Sequence, residues 1–179
     1  MSGISINLDY EGSVNAKIGD FFYIDDIDND TITTELLQFQ NVRLSNDPKS
    51  CEYEDFELPN TESVKHLLFK IDSIIKYNHK SLKFREAWSH ILHPQQSTMY
   101  HSHKGPMDGL SFVYYVAYPE YSGDLVFDFE ILGKRVYIDN TPQVGGLILF
   151  PTWVPHYTTR NVSDGARISI SGNYFPILF

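Results

Sequence analysis

Residues 110–118 read LSFVYYVAY. β-branched and aromatic side chains dominate this run, and they fit the pleated, half-buried surface of a sheet. Stretches 84–92, 125–131, 134–138, 146–150 and 167–175 also read as strands, with Gly, Pro, Asn and Asp between them. Short strands with regular turn signals predict an antiparallel sandwich or barrel. One segment ahead of them has a different period. Val64, Leu67, Leu68, Ile71, Ile74 and Ile75 recur at helical spacing, so one face of a helix is apolar. Asn60 or Thr61 supplies its cap, Asn78 its end, and the helix is expected to cover a sheet. Residues 33–39 open a second, shorter helix. Residues 23–30, YIDDIDND, read as a charged turn region. The charge runs of the first sixty residues read as a solvated face. Asn46-Asp47-Pro48 and Leu58-Pro59-Asn60 signal loops. The expected order is therefore helices first and then a β-sandwich, mainly β (α+β) in class. No repeat or linker divides the chain. Residues 1–179 read as a single domain, with 1–80 holding the N-terminal elements and packing helix and 81–179 the β core.

Composition narrows the function classes. The chain has 179 residues, 42% of them hydrophobic and 15% aromatic, enough to bury a core and to make global disorder a poor reading. Its formal net charge of −9 disfavours nucleic acid and anionic lipid as partners, since both want a basic surface. The single cysteine, Cys51, excludes an intramolecular disulfide and reads as a reduced intracellular thiol. The N-terminus lacks the basic segment and apolar run of a signal peptide. No stretch approaches the ~18 apolar residues of a membrane span. A cytoplasmic location is expected.

Chemistry concentrates in histidine and arginine. His66 and His79 lie on or near the packing helix and read as surface or core-edge residues; His90 is a candidate pocket residue. His101-Ser102-His103 differs. In an extended segment, residues two apart point to one face, so both rings can reach one point. His156 follows the apolar run 147–150 and two prolines, Pro151 and Pro155, which place it at a sheet end. Three imidazoles from two strands would suit iron, zinc, copper or nickel, and three unrelated surface histidines would give the same spacing. Arg167 opens the alternating run Arg167-Ile168-Ser169-Ile170-Ser171. Arg167 and Ser169 then share one face and the isoleucines the other. If the polar face lines a pocket, the guanidinium is matched to a carboxylate by two parallel hydrogen bonds, with Ser169 adding a third. On a surface it would be an edge-strand charge instead.

In order and spacing, these pieces resemble the iron(II)/2-oxoglutarate-dependent oxygenases, most closely the prolyl-hydroxylase-like branch and its bacterial and phage relatives. The resemblance runs over about half the chain. It comprises the strand around Trp88; His101-x-His103; Val113-Tyr114-Tyr115; YSGDLVF at 121–127; GGLILFP at 145–151; His156; and Arg167-x-Ser169 leading to Asn173-Tyr174-Phe175. It implies a double-stranded β-helix, a jelly roll of the cupin-like kind, with N-terminal helices packed on the major sheet. It implies iron(II) held by His101, His103 and His156, and 2-oxoglutarate held at its distal carboxylate by Arg167, Tyr115 and Ser169. Ascorbate is an expected stimulant. The implied reaction hydroxylates a substrate C–H bond and releases succinate and CO₂. Phe112, Tyr114, Val126, Phe127 and Phe150 would shield it from water or serve as ordinary core. The family usually carries Asp or Glu where this chain has His103. His103 then either binds iron in a three-histidine site, or leaves the place to Asp108 or water, or marks a site without iron chemistry. Thr98 stands where prolyl hydroxylases place a tyrosine, which weakens proline as the substrate. Two other classes remain open: a cupin-like three-histidine metalloenzyme that does not use 2-oxoglutarate, and a non-catalytic β-helix binding module. The substrate, small molecule or peptide, and the oligomeric state leave no mark in the sequence.

Overall fold

The computed structural model describes residues 2–9, 13–39, 54–103, 106–131 and 134–177. Cys51 and the loop signal at Asn46-Asp47-Pro48 lie outside them. In chain order the elements are β1 (Ser2–Asp9), β2 (Ser13–Tyr23), α1 (Asn29–Gln38), β3 (Glu54–Phe56), α2 (Glu62–Asn78), β4 (Leu82–Leu92), β5 (Leu110–Ala117), β6 (Leu125–Ile131), β7 (Lys134–Asn140), β8 (Gly146–Pro151), β9 (His156–Thr158) and β10 (Arg167–Pro176). The larger sheet has the order β1-β2-β8-β5-β10-β4-β3 and the smaller one β7-β6-β9. All pairings are antiparallel. Two facing sheets of this kind make the expected double-stranded β-helix.

The first sixty residues differ from their sequence reading. Two strands precede the first helix, and β2 pairs directly with β8, joining Asp20 to Leu149 and Phe22 to Leu147. Helices do not come first, and the core sheet is not confined to residues 81–179. Residues 23–30 divide between the end of β2, a short connection and the start of α1. Asp28 caps that helix, its carboxylate accepting from the Thr31 backbone N–H at 3.0 Å.

α2 follows its sequence reading closely. Thr61 caps it and Asn78 is its last residue. Val64, Leu67, Ile71 and Ile75 face inward and are fully or almost fully buried. Glu35 of α1 accepts hydrogen bonds from Thr61, at 2.8 Å, and from Ser63, so the two helices are tied at the start of α2.

Two apolar clusters flank the larger sheet. On its outer face the helices pack on Leu110, Phe112, Tyr114, Val116, Leu147, Leu149, Ile168, Ile170 and Tyr174. Tyr114 donates to Asn29 of α1 and Tyr174 to Asp72 of α2, each at 3.0 Å, so their buried hydroxyls are satisfied. Between the sheets lie Val113, Tyr115, Leu125, Phe127, Ile148, Phe150 and Val154. Phe112 and Tyr114 therefore belong mainly to the helix side, whereas Phe127 and Phe150 belong to the inter-sheet layer. This division follows the period of two along β5.

Candidate metal centre

Between the sheets, beside Val113 and Leu125 of the apolar layer, a cavity opens. Arg167, Ser169 and Ser171 of β10 line it, with Trp88 and His90 of β4, Asp55 of β3, and His101, His103 and His156. The alternation predicted for β10 holds: Ile168 and Ile170 sit in the helix-side cluster.

The HxH pair is not in a strand of either sheet. His101 forms an isolated bridge to His156, exchanging backbone hydrogen bonds of 3.0 and 2.8 Å, and the His103 N–H donates to the Thr152 carbonyl at 3.0 Å. The segment is thus pinned to β9 and to the turn before it. Extended backbone on a short ladder delivers the two rings to one place without a full strand. His156, the first residue of β9, meets them from the smaller sheet rather than from the end of β8.

The candidate ligand atoms of His101, His103 and His156 lie within 4.8 Å of one another. His103 Nε2 and His156 Nε2 are 3.3 Å apart, a spacing suited to two imidazoles on one ion at ~2.0–2.1 Å each. The other nitrogens of two rings are taken. His101 Nδ1 lies 2.8 Å from the Met99 carbonyl and His156 Nδ1 2.9 Å from that of Val154. A carbonyl can only accept, so Nδ1 carries the proton and Nε2 keeps its lone pair, which is how metal-binding histidines are usually oriented. Burial disfavours the charged imidazolium. It pushes His103 down to about 4, with His101 adding to the effect; it holds His156 well below its ordinary value and lowers His101. Near neutral pH all three rings are therefore neutral donors. Asp108 is exposed and is not in this group.

Arg167 is 1% exposed, and its Nε and Nη1 have no hydrogen-bond partner among the described residues. Its guanidinium carbon lies 5.2 Å from the centre of the Tyr115 ring. Tyr115 is fully buried and its hydroxyl is also without a partner. Burial raises this phenol to about 12, with Arg167 pulling the other way, so it remains a donor near neutral pH. Ser169 is buried and pairs across the sheet with Tyr115 on one side and His90 on the other. A cation, a phenol and a hydroxyl converge here, and the first two have donors left over.

The sequence reading missed Asp55. It sits in the acidic run 52–57, EYEDFE, read as a solvated face. Asp55 instead pairs across β3 and β4 with His90 and bonds its ring at 2.6 Å. Its only local signal is Phe56, a buried apolar residue beside it. His66 is exposed and His79 caps the end of α2, both away from the site.

Known proteins share this arrangement of sheets. HygX from Streptomyces hygroscopicus, solved with nickel, 2-oxoglutarate and hygromycin B, superposes with a TM-score of 0.67 at 13% identity, over 90% of this chain and 85% of HygX. A Pseudomonas putida prolyl-4-hydroxylase gives 0.66 at 15% identity, over 90% of this chain and 93% of its own. The viral collagen prolyl hydroxylase of Paramecium Bursaria Chlorella virus-1, solved with 2-oxoglutarate, gives 0.62 at 18%, over 89% and 97%. At such identities the likeness establishes the double-stranded β-helix fold. No curated protein matches the sequence significantly. The profile of the family described as "Putative 2OG-Fe(II) oxygenase" matches residues 86–173, which run from β4 into β10 and take in all three histidines, Tyr115, Arg167 and Ser169. The chain belongs to the 2OG-Fe(II) oxygenase family.

Proposed function

We propose that the chain binds iron(II) through His101, His103 and His156 and grips the distal carboxylate of 2-oxoglutarate through Arg167, Tyr115 and Ser169. In this reading it hydroxylates a C–H bond of a small-molecule or peptide substrate and releases succinate and CO₂. Residues 1–179 act as one domain around that site. Arg167 is the observation that carries the proposal. A buried guanidinium with two unused donors is costly unless an anion meets it. The Tyr115 hydroxyl beside it is equally unused, and the pair suits the oxygens of a carboxylate. The donor set thus fits an anionic cosubstrate, and the three neutral imidazoles fit a divalent ion.

Iron(II) at this centre supplies the activation of dioxygen that couples decarboxylation of 2-oxoglutarate to oxidation of the substrate. The chain's residues do the rest. Arg167 and Tyr115 fix one end of the cosubstrate, and Ser169, opposite Tyr115 in the sheet and two residues on from Arg167, adds a hydroxyl. The Met99 and Val154 carbonyls hold two imidazole rings in the ligating tautomer. Phe150, edge-on to His156 at 4.8 Å, and Phe127 keep water from the inner side of the site. With His103 in place of a carboxylate, three neutral imidazoles would bring no charge to the ion, and the 2-oxoglutarate carboxylate remote from Arg167 would offset part of its double charge. HygX and the prolyl hydroxylases span small-molecule and peptide substrates, which supports leaving both open.

Calorimetric titration of 2-oxoglutarate into anaerobic, iron(II)-loaded protein is expected to show binding. Added air and ascorbate should then yield slow succinate formation without a second substrate. If the iron-filled protein binds no 2-oxoglutarate, the reading gives way to a three-histidine metalloenzyme of another kind. If it takes up no iron, a binding module without catalysis is the better account.

A further inference from the structure

A chain of hydrogen bonds lines the wall of the cavity beside the three histidines. Asp55 Oδ1 lies 2.6 Å from His90 Nδ1, and His90 Nε2 lies 2.9 Å from Thr98 Oγ1. The Thr158 hydroxyl donates to Thr98 Oγ1 at 3.0 Å and accepts from the Thr98 backbone N–H at 2.7 Å. His90, Thr98 and Thr158 are buried, and all four residues line the cavity. The donors run one way. A carboxylate can only accept, so His90 Nδ1 carries a proton toward Asp55; in the neutral ring Nε2 then accepts from the Thr98 hydroxyl, which itself accepts from Thr158. Chains polarised in this sense reinforce each other's bonds in a low-dielectric interior.

The placement of the four residues gives the chain its use. Asp55 and His90 belong to β3 and β4, at one edge of the larger sheet. Thr98 precedes His101 by three residues, and Thr158 follows His156 by two. His101 and His156 are themselves bridged through their backbones. On one side of the metal centre the sheets are held together by apolar packing of Tyr115, Leu125, Phe127 and Phe150, with Phe150 edge-on to His156. Toward β3 and β4 the cavity interrupts this packing, and the polar chain runs along its wall. We propose that His90, clamped between Asp55 and Thr98, is a positioning residue that ties the segments bearing His101, His103 and His156 to the larger sheet and so sets the geometry of the metal centre. This rests on the metal-binding reading above and adds to it residues outside the ligand set.

Cobalt(II) is a suitable probe, because its visible bands report coordination geometry without turnover. Thr98→Val keeps the side-chain shape and breaks the chain at its middle. It is expected to weaken cobalt(II) binding by about 10–100-fold, as loss of outer-shell partners does, and to shift the visible bands. Thr98→Ser, which keeps the hydroxyl, should restore both. Thermal unfolding of the metal-free variants separates the alternatives. A lower unfolding temperature with unchanged cobalt affinity and bands would mean a structural role only and would overturn the inference. Where Thr98→Val does not fold, Asp55→Asn loosens the same chain from its half-buried end. It should act in the same direction by a smaller factor, and no change there also overturns it. Failure of the metal reading looks different: wild-type protein and His156→Ala would then take up cobalt(II) equally.

Discussion

The two faces of β10 carry opposite chemistry on one strand. Ile168 and Ile170 enter the helix-side core, while Arg167, Ser169 and Ser171 line the cavity. The apolar face is complete: its neighbours fill it, and the buried tyrosines beneath the helices find partners in Asn29 and Asp72. The polar face is incomplete, with unused donors on Arg167 and Tyr115. One face is finished by folding and the other keeps buried donors unspent, so substitutions on them should be read by different measurements. Arg167→Ala should produce the largest effect. A buried charge-assisted pair typically costs about 3–5 kcal/mol when one partner is removed, so 2-oxoglutarate affinity should fall by a factor of hundreds or more. Metal affinity should change little, and calorimetry on the metal-loaded variant reads both. Arg167→Lys should lie between this variant and the wild type, since one ammonium cannot reproduce a two-pronged contact. Ile170→Ala, on the other face, should cost about 2–5 kcal/mol of stability in denaturant unfolding. Cosubstrate affinity of the folded fraction should be unchanged; a matching loss there would blur the division between faces. Thr61→Ala should cost about 1 kcal/mol through loss of the α2 cap, with no effect on binding. Arg160 is exposed, and Arg160→Ala should stay within about 0.5 kcal/mol in stability and leave 2-oxoglutarate binding intact. Equal binding by the Arg160 and Arg167 alanine variants would remove the cosubstrate role of Arg167.

The same division explains what the sequence could show. β10 announces itself because strict alternation survives where one face is apolar and the other polar. α2 does so through helical spacing and a Thr61 cap. β5 is dense in β-formers because both of its faces are buried. β1 and the start of β2 also alternate, with Ile4, Ile6 and Leu8 in one and Val14, Ala16 and Ile18 in the other, and the sequence reading passed over this period of two. β2 holds Ser13-Val-Asn-Ala-Lys-Ile-Gly-Asp before its aromatic end, and its place is set by pairing with β8, far along the chain. β3 and β9 have three residues each, too few to show any period. Of the candidate site, His101, His103, His156, Arg167, Ser169 and Tyr115 were all visible through spacing and resemblance, and the structure brings them to one region. Asp55 was not, because an acid in an acidic run looks the same whether it faces water or a buried histidine. His90 drew notice only as a pocket candidate; its partners Asp55, Thr98 and Thr158 lie in segments whose meeting depends on the tertiary fold.

β10 is the last strand in sequence and sits between β5 and β4 in the larger sheet. It therefore fills a middle position rather than adding to an edge. During synthesis the earlier strands emerge with a gap between them, and β4 and β5 cannot be joined until β10 arrives. Pairings as distant as Asp20 with Leu149 and Trp88 with Ser171 make the topology rich in non-local contacts, which folds on the slow side, over milliseconds to seconds. The strand that closes the sheet also brings Arg167. The nascent chain thus gains the buried guanidinium proposed to hold a carboxylate only in the step that completes this sheet.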